Sequence, residues 1–152
     1  MPMADVFRLE EGEASLPGIR RLRDFNGFGG FTEEGGYVIV PTENATPAPW
    51  SHMLAGEMFG TLVCEQGLMY SHMGNSRLRR ITSSRQDSVL ITPAEEYFVA
   101  EDGRALSVTQ HARVTYEPGA AMFERAGKDI YASLTCFCDS EHPTGVRIMH
   151  VK

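Results

Sequence analysis

Along most of this chain apolar and polar residues alternate one by one, the spacing of a β-strand with one buried face. Gly36-Tyr37-Val38-Ile39-Val40-Pro41 is the clearest strand, β-branched and aromatic residues bounded by Gly and Pro. Met58 to Cys64 and Leu68 to Met73 predict a hairpin across Glu65-Gln66-Gly67. Trp50 to Gly56 is short and apolar, and Asp87 to Ile91 begins another short run. Glu95 to Ala100 and Leu106 to Thr109 flank Glu101-Asp102-Gly103-Arg104, where Asp-Gly is a hairpin signal. Ala112 to Tyr116, Ala121 to Arg125, Asp129 to Cys138 and Gly145 to Lys152 complete the series. No segment sustains a helical period with caps, so the pattern predicts an all-β, antiparallel β-sandwich with little helix.

The first 24 residues mix acidic and small side chains and are read as a leader with an edge strand near Val6 to Leu9. Ile19 to Phe25 fits either one helical turn or a strand. Residues 25–152 are read as a single β-sandwich domain. The alternating terminal strand calls for a neighbour, from a second subunit or from downstream sequence, so the domain is expected to be truncated there. Between Phe25 and Arg77 glycines, prolines and planar polar groups concentrate. The glycines of Asn26-Gly27 and Gly29-Gly30 are expected to take positive φ in tight turns. Pro47 and Pro49 stiffen the approach to Trp50. A stiff loop carrying one aromatic suits a small polar ligand, and a packed turn needs the same residues.

Composition narrows the function classes. With 152 residues, 42% hydrophobic and 22% charged, the chain can bury a real core. A net charge of −6 argues against nucleic acid and anionic membrane as partners. The basic clusters Arg20-Arg21-x-Arg23 and Arg77-x-Arg79-Arg80 are read as solvated faces. No apolar run reaches membrane-spanning length and the first residues lack a secretion signal, so a cytoplasmic location is expected. Three cysteines form no disulfide framework. Cys136-x-Cys138 is taken to point its thiols to opposite strand faces, out of joint reach of a metal, and no metal or cofactor is expected. The five histidines lack ligand spacing and are read as surface or hydrogen-bonded, with His52 and His72 held in reserve. The acidic pairs Glu33-Glu34, Glu95-Glu96 and Glu101-Asp102 are read as solvent-facing. No nucleophile elbow or dinucleotide fingerprint is present.

Several motifs in order and spacing carry a resemblance. Phe25-Asn26-Gly27-Phe28-Gly29-Gly30-Phe31, Tyr37-Val38-Ile39, Thr46-Pro47-Ala48-Pro49-Trp50, Phe59-Gly60 and Asn75-Ser76-Arg77 together resemble the amino-terminal β-sandwich of the cellobiose phosphorylase and cyclic β-1,2-glucan synthetase family. The resemblance implies part of a galactose-mutarotase-like supersandwich that precedes an (α/α)₆ barrel. In that family the barrel holds the catalytic Asp and binds inorganic phosphate as co-substrate of an inverting phosphorolysis. This chain has no counterpart of that Asp, so no catalytic residue and no activity of its own are expected. The implied role is a non-catalytic carbohydrate-binding or assembly domain for a β-glucan or glucose disaccharide. Its implied partners are a catalytic barrel or a second subunit, a homodimer included. The substrate-binding residues implied are Trp50, Asn75, Arg77 and His72. Trp50 serves either as a buried anchor or as a sugar platform, and Asn75 and Arg77 as planar hydrogen-bonders. The sequence departs from the family at Leu78, where a Glu is usual, at Thr82-Ser83-Ser84, where the family carries Thr-Pro-Trp, and at Thr115-Tyr116-Glu117-Pro118-Gly119, where the family tends to have Arg-His-Gly before a Gly-Tyr. The alternative is a free-standing sugar-binding or protein-interaction sandwich.

Overall fold

A computed structural model describes residues 8–9, 22–42, 46–83, 92–101 and 103–152. Among them there is no helix, and twelve strands run as β1 (Arg8–Leu9), β2 (Gly29–Phe31), β3 (Tyr37–Ile39), β4 (Ser51–Ala55), β5 (Phe59–Cys64), β6 (Gly67–Met73), β7 (Phe98–Glu101), β8 (Arg104–Ser107), β9 (Arg113–Glu117), β10 (Ala120–Ala126), β11 (Tyr131–Cys138) and β12 (Gly145–Val151). A six-stranded sheet has the order β12-β11-β10-β9-β3-β2, and three-stranded sheets have the orders β4-β5-β6 and β1-β8-β7. Every pairing is antiparallel except that of β1 with β8. The fold is an all-β sandwich: the β4-β5-β6 sheet packs against β10, β11 and β12.

Strand periodicity builds the core. Ala132, Leu134 and Cys136 fall on one face of β11, Ala121 and Phe123 on one face of β10, and all are fully buried. Leu54, Val63 and Leu68 meet them from the facing sheet, and Ile39, Val114 and Ala112 extend the core beneath β3 and β9. On β5 the alternation breaks, because pairing with β6 shifts between Leu62 and Val63. Met69 is the residue the shift leaves over, a bulge that re-aims the side chains beyond it.

Two ionic groups are buried, one on the face of β9 and β10 opposite the core and one between the layers. Arg113 on β9 pairs with Glu124 on β10 at 2.7 Å, and the Tyr131 hydroxyl donates to the other carboxylate oxygen at 2.7 Å. Arg147 on β12 reaches across the layers, donating to Ser71 Oγ at 3.1 Å, Thr61 Oγ1 at 3.2 Å and Glu95 Oε1 at 3.4 Å. Glu95 also accepts from the Tyr97 hydroxyl at 2.8 Å. Burial first and the neighbouring Glu95 second push the Tyr97 phenol up to about 12.

Several sequence expectations need correction. Glu95 is a half-buried network carboxylate, because β12 delivers an arginine to it, while Glu96 stays exposed. Arg80 is not simply solvated: its guanidinium lies 4.4 Å over the Tyr70 ring. Cys136 and Cys138, two apart on a strand, share a face. Cys136 enters the core and the Cys138 thiol donates to the Leu54 carbonyl at 3.2 Å. Gly29 and Gly30 lie in β2 and not in a turn, and they are needed for space. A Cβ on Gly29 would collide with the Val38 carbonyl and one on Gly30 would come 2.6 Å from the Arg23 carbonyl. Gly27 does take the expected positive φ (95°), as does Gly35 (91°). Ser51–Ala55, read only as an apolar stretch, is a full strand of the second sheet. Asp87–Ile91 and the Arg20-Arg21 pair lie outside the described residues.

Candidate functional site

Thr46 to Trp50 forms a strap that enters β4, and Glu65, in the β5–β6 turn, holds both of its ends. The Thr46 hydroxyl donates to Glu65 Oε1, and the Trp50 amide donates to Oε2 at 2.9 Å. A third tie comes from the six-stranded sheet, where the Tyr116 hydroxyl donates to the Trp50 carbonyl at 2.7 Å. Burial pushes the Tyr116 phenol far above its ordinary value, so it remains a donor through the neutral range. Held this way, the half-buried Trp50 indole makes edge contacts with Phe28 (5.8 Å between centroids) and Tyr37 (5.9 Å).

Tyr37 and Tyr116 are direct cross-strand partners on β3 and β9. With Trp50 they line an open cleft of about 570 Å³, rimmed by Asn26, Ser51, His52 and Glu117. The Asn26 amide donates to the Tyr37 hydroxyl at 3.1 Å, while its Oδ1 accepts the Phe28 and Gly29 amides at 3.1 and 3.0 Å. His52 packs against Tyr116 with centroids 5.2 Å apart, and its Nε2 donates to the Glu117 carbonyl at 2.9 Å. Aromatic walls with amide, hydroxyl and imidazole groups at the mouth, beside Glu117, suit a polyhydroxy ligand.

The four residues taken from the resemblance do not share this cleft. Trp50 lines it, and Asn75, Arg77 and His72 do not. Strand register gives the reason. Trp50 adjoins the Ser51–Cys64 end of the second sheet, whereas His72 pairs with Gly60, which pairs with Ala55 at the other end. Five residues of β4 separate the two, about 17 Å at roughly 3.4 Å per residue. The Asn75 side chain is already engaged in its own turn, accepting the Arg77 and Leu78 amides at 2.9 Å each. The Arg77 side chain is exposed beside it. The His72 ring lies over Gly60, and its buried Nδ1 has no hydrogen-bond partner. Tyr37, Tyr116, Asn26 and Glu117 were missed as site residues. Tyr37 and Tyr116 are the aromatic members of two neighbouring alternating strands, a signal that needs the pairing to become visible.

No group of three or more His, Cys, Asp or Glu among the described residues could hold a metal. Burial pushes the Cys64 and Cys136 thiols up to about 11 and about 12, opposite to what a nucleophile or ligand needs.

Comparison with known sequences adds a family. The model for the glycosyl hydrolase 94 supersandwich domain matches residues 35–152. The chain belongs to the glycosyl hydrolase 94 supersandwich family. Over 105 residues, 68% of the chain, it is also 33% identical to the cyclic beta-(1,2)-glucan synthase NdvB of Rhizobium meliloti (strain 1021). The chain spans only 4% of that protein. Within this glycosyl hydrolase 94 domain the family match covers Trp50, His52, Tyr37 and Tyr116, while Asn26 and Phe28 precede it.

Proposed function

We propose that this domain is a non-catalytic glucan-holding module of an enzyme that makes or breaks β-glucosidic bonds, and that its contact with sugar is the Trp50 cleft. The observation that carries the reading is the cleft itself: Trp50, Tyr37 and Tyr116 converge under a rim of Asn26, Ser51 and His52. Indole and phenol faces stack on the apolar faces of pyranose rings, and the rim groups exchange hydrogen bonds with hydroxyls. Membership of the supersandwich family and similarity to a cyclic β-1,2-glucan synthase support a β-glucoside as ligand. Bond cleavage or synthesis, with inorganic phosphate where the reaction is a phosphorolysis, belongs to a separate catalytic barrel of the parent enzyme. Tyr116 is too strongly held as a phenol to act as a base at neutral pH.

The test is calorimetric titration of the domain with β-1,2-linked glucooligosaccharides and with cellobiose, alongside incubation with disaccharide and phosphate. Saturable binding to at least one β-glucoside, with no release of sugar phosphate, is the expected result. Absence of binding to all of them at millimolar concentration overturns the sugar-holding role, and phosphorolysis by the pure chain overturns the non-catalytic one.

A further inference from the structure

We infer that Glu65 is the positioning residue of the aromatic cleft: by holding both ends of the Thr46–Trp50 strap it sets the orientation of the indole, and with it the affinity for a β-glucoside. The affinity half of this statement rests on the function proposed above; the orientation half does not. Glu65 is outside the aromatic cleft and faces a smaller neighbouring cavity of about 240 Å³ with Thr46 and Gln66. It acts on the ligand site only through the strap.

Pro47 and Pro49 fix φ at two strap positions, so the segment from Thr46 to Trp50 behaves as a short rod. A rod is oriented by its ends. Here one carboxylate takes the Thr46 hydroxyl on Oε1 and the Trp50 amide on Oε2. Each bond is to a carboxylate oxygen, a strong acceptor. Tyr116 secures only the Trp50 carbonyl, which leaves rotation about that point to be restrained by Glu65. Trp50 meets Phe28 and Tyr37 edge-on and packs half-buried against the core, with part of the ring open to the cleft, so the strap's ties act together with these contacts.

The chain has one tryptophan, so its emission reports this position alone. The variants are Glu65→Ala, Glu65→Gln and Thr46→Val, each first checked for a folded β spectrum. In the ligand-free protein, Glu65→Ala is expected to red-shift the emission and raise acrylamide quenching about twofold or more. Its affinity for β-1,2-glucooligosaccharides is expected to fall about 10- to 100-fold, the range for losing hydrogen bonds to a charged group. Glu65→Gln retains one carbonyl acceptor and recovers part of both signals, and Thr46→Val, which cuts one tie, falls between wild type and Glu65→Ala. Wild-type emission, quenching and affinity in a folded Glu65→Ala protein overturn the inference. Should Glu65→Ala not fold, Glu65→Gln and Thr46→Val decide, and unchanged quenching in both overturns it. If wild type binds no sugar, the function proposed above fails, while the ligand-free quenching still decides whether Glu65 orients Trp50.

Discussion

Replacing Glu95 by alanine isolates the tie between the last strand and the facing sheet. In the native fold Arg147 and Glu95 are 3.4 Å apart, with side chains 15% and 24% exposed. An exposed pair of this kind contributes about 0–1 kcal/mol, whereas removing one member of a fully buried pair costs about 3–5 kcal/mol. The low exposure places this pair nearer the buried limit, and Tyr97 also loses its acceptor. A loss of about 2–3 kcal/mol follows, equivalent to a fall in Tm of roughly 4–12 °C for a domain of this size. Arg147→Met removes the charge but keeps volume, and leaves Glu95 with Ser71 and Tyr97 as donors; about 1–2 kcal/mol is expected. The double variant is expected to fall short of the sum by at least about 0.5 kcal/mol, as it does for groups in one network. Urea unfolding followed by Trp50 emission measures all three. A Glu95→Ala protein within about 0.5 kcal/mol of wild type, or strictly additive variants, refutes the reasoning.

Four further outcomes follow from other parts of the structure. Gly60→Ala places a Cβ 2.6 Å from the His72 imidazole, so a loss of about 1–3 kcal/mol is expected in thermal unfolding; an unchanged Tm refutes the packing argument. Cys64 and Cys136, raised from 9.0 to about 11 and about 12, favour the folded state while they remain thiols. That contribution is complete below about pH 9 and is lost as pH rises through 11–12, so a pH series of Tm values should fall over that window. In native protein a thiol reagent should modify half-buried Cys138 first, with Cys64 and Cys136 reacting only on unfolding; equal rates contradict the burial. Ile148 is 54% exposed on β12, so Ile148→Lys should change stability by no more than about 0.5 kcal/mol in urea unfolding, and a larger loss contradicts its exposure.

Strand content was readable because one-sided burial writes itself into alternation, as at Tyr131–Cys138, where every second residue enters the core. Ser51–Ala55 was harder, since His52 interrupts the apolar run and its pairing with β5 is a long-range fact. The glycine corner misled for a related reason. A glycine required by positive φ and one required by a close carbonyl look alike in sequence, and only the β2–β3 pairing separates Gly27 from Gly29. At the site, Pro-x-Pro-Trp in the sequence marks Trp50, with His52 two residues on. The partners Tyr37 and Tyr116, about 80 residues apart in the chain, meet only through sheet register. Asn75 and Arg77 read in the sequence as planar hydrogen-bonders, yet Asn75 spends its acceptor on its own turn.

Chemical-shift mapping of the isotope-labelled domain during titration with β-1,2-glucooligosaccharides tests the central claim most directly. Saturable shifts are expected at the Trp50 indole N–H and at the amides of Tyr37, His52 and Tyr116, with Asn75 to Leu78 unmoved. Shifts confined to Asn75–Leu78, or none at Trp50 under saturating sugar, would contradict it.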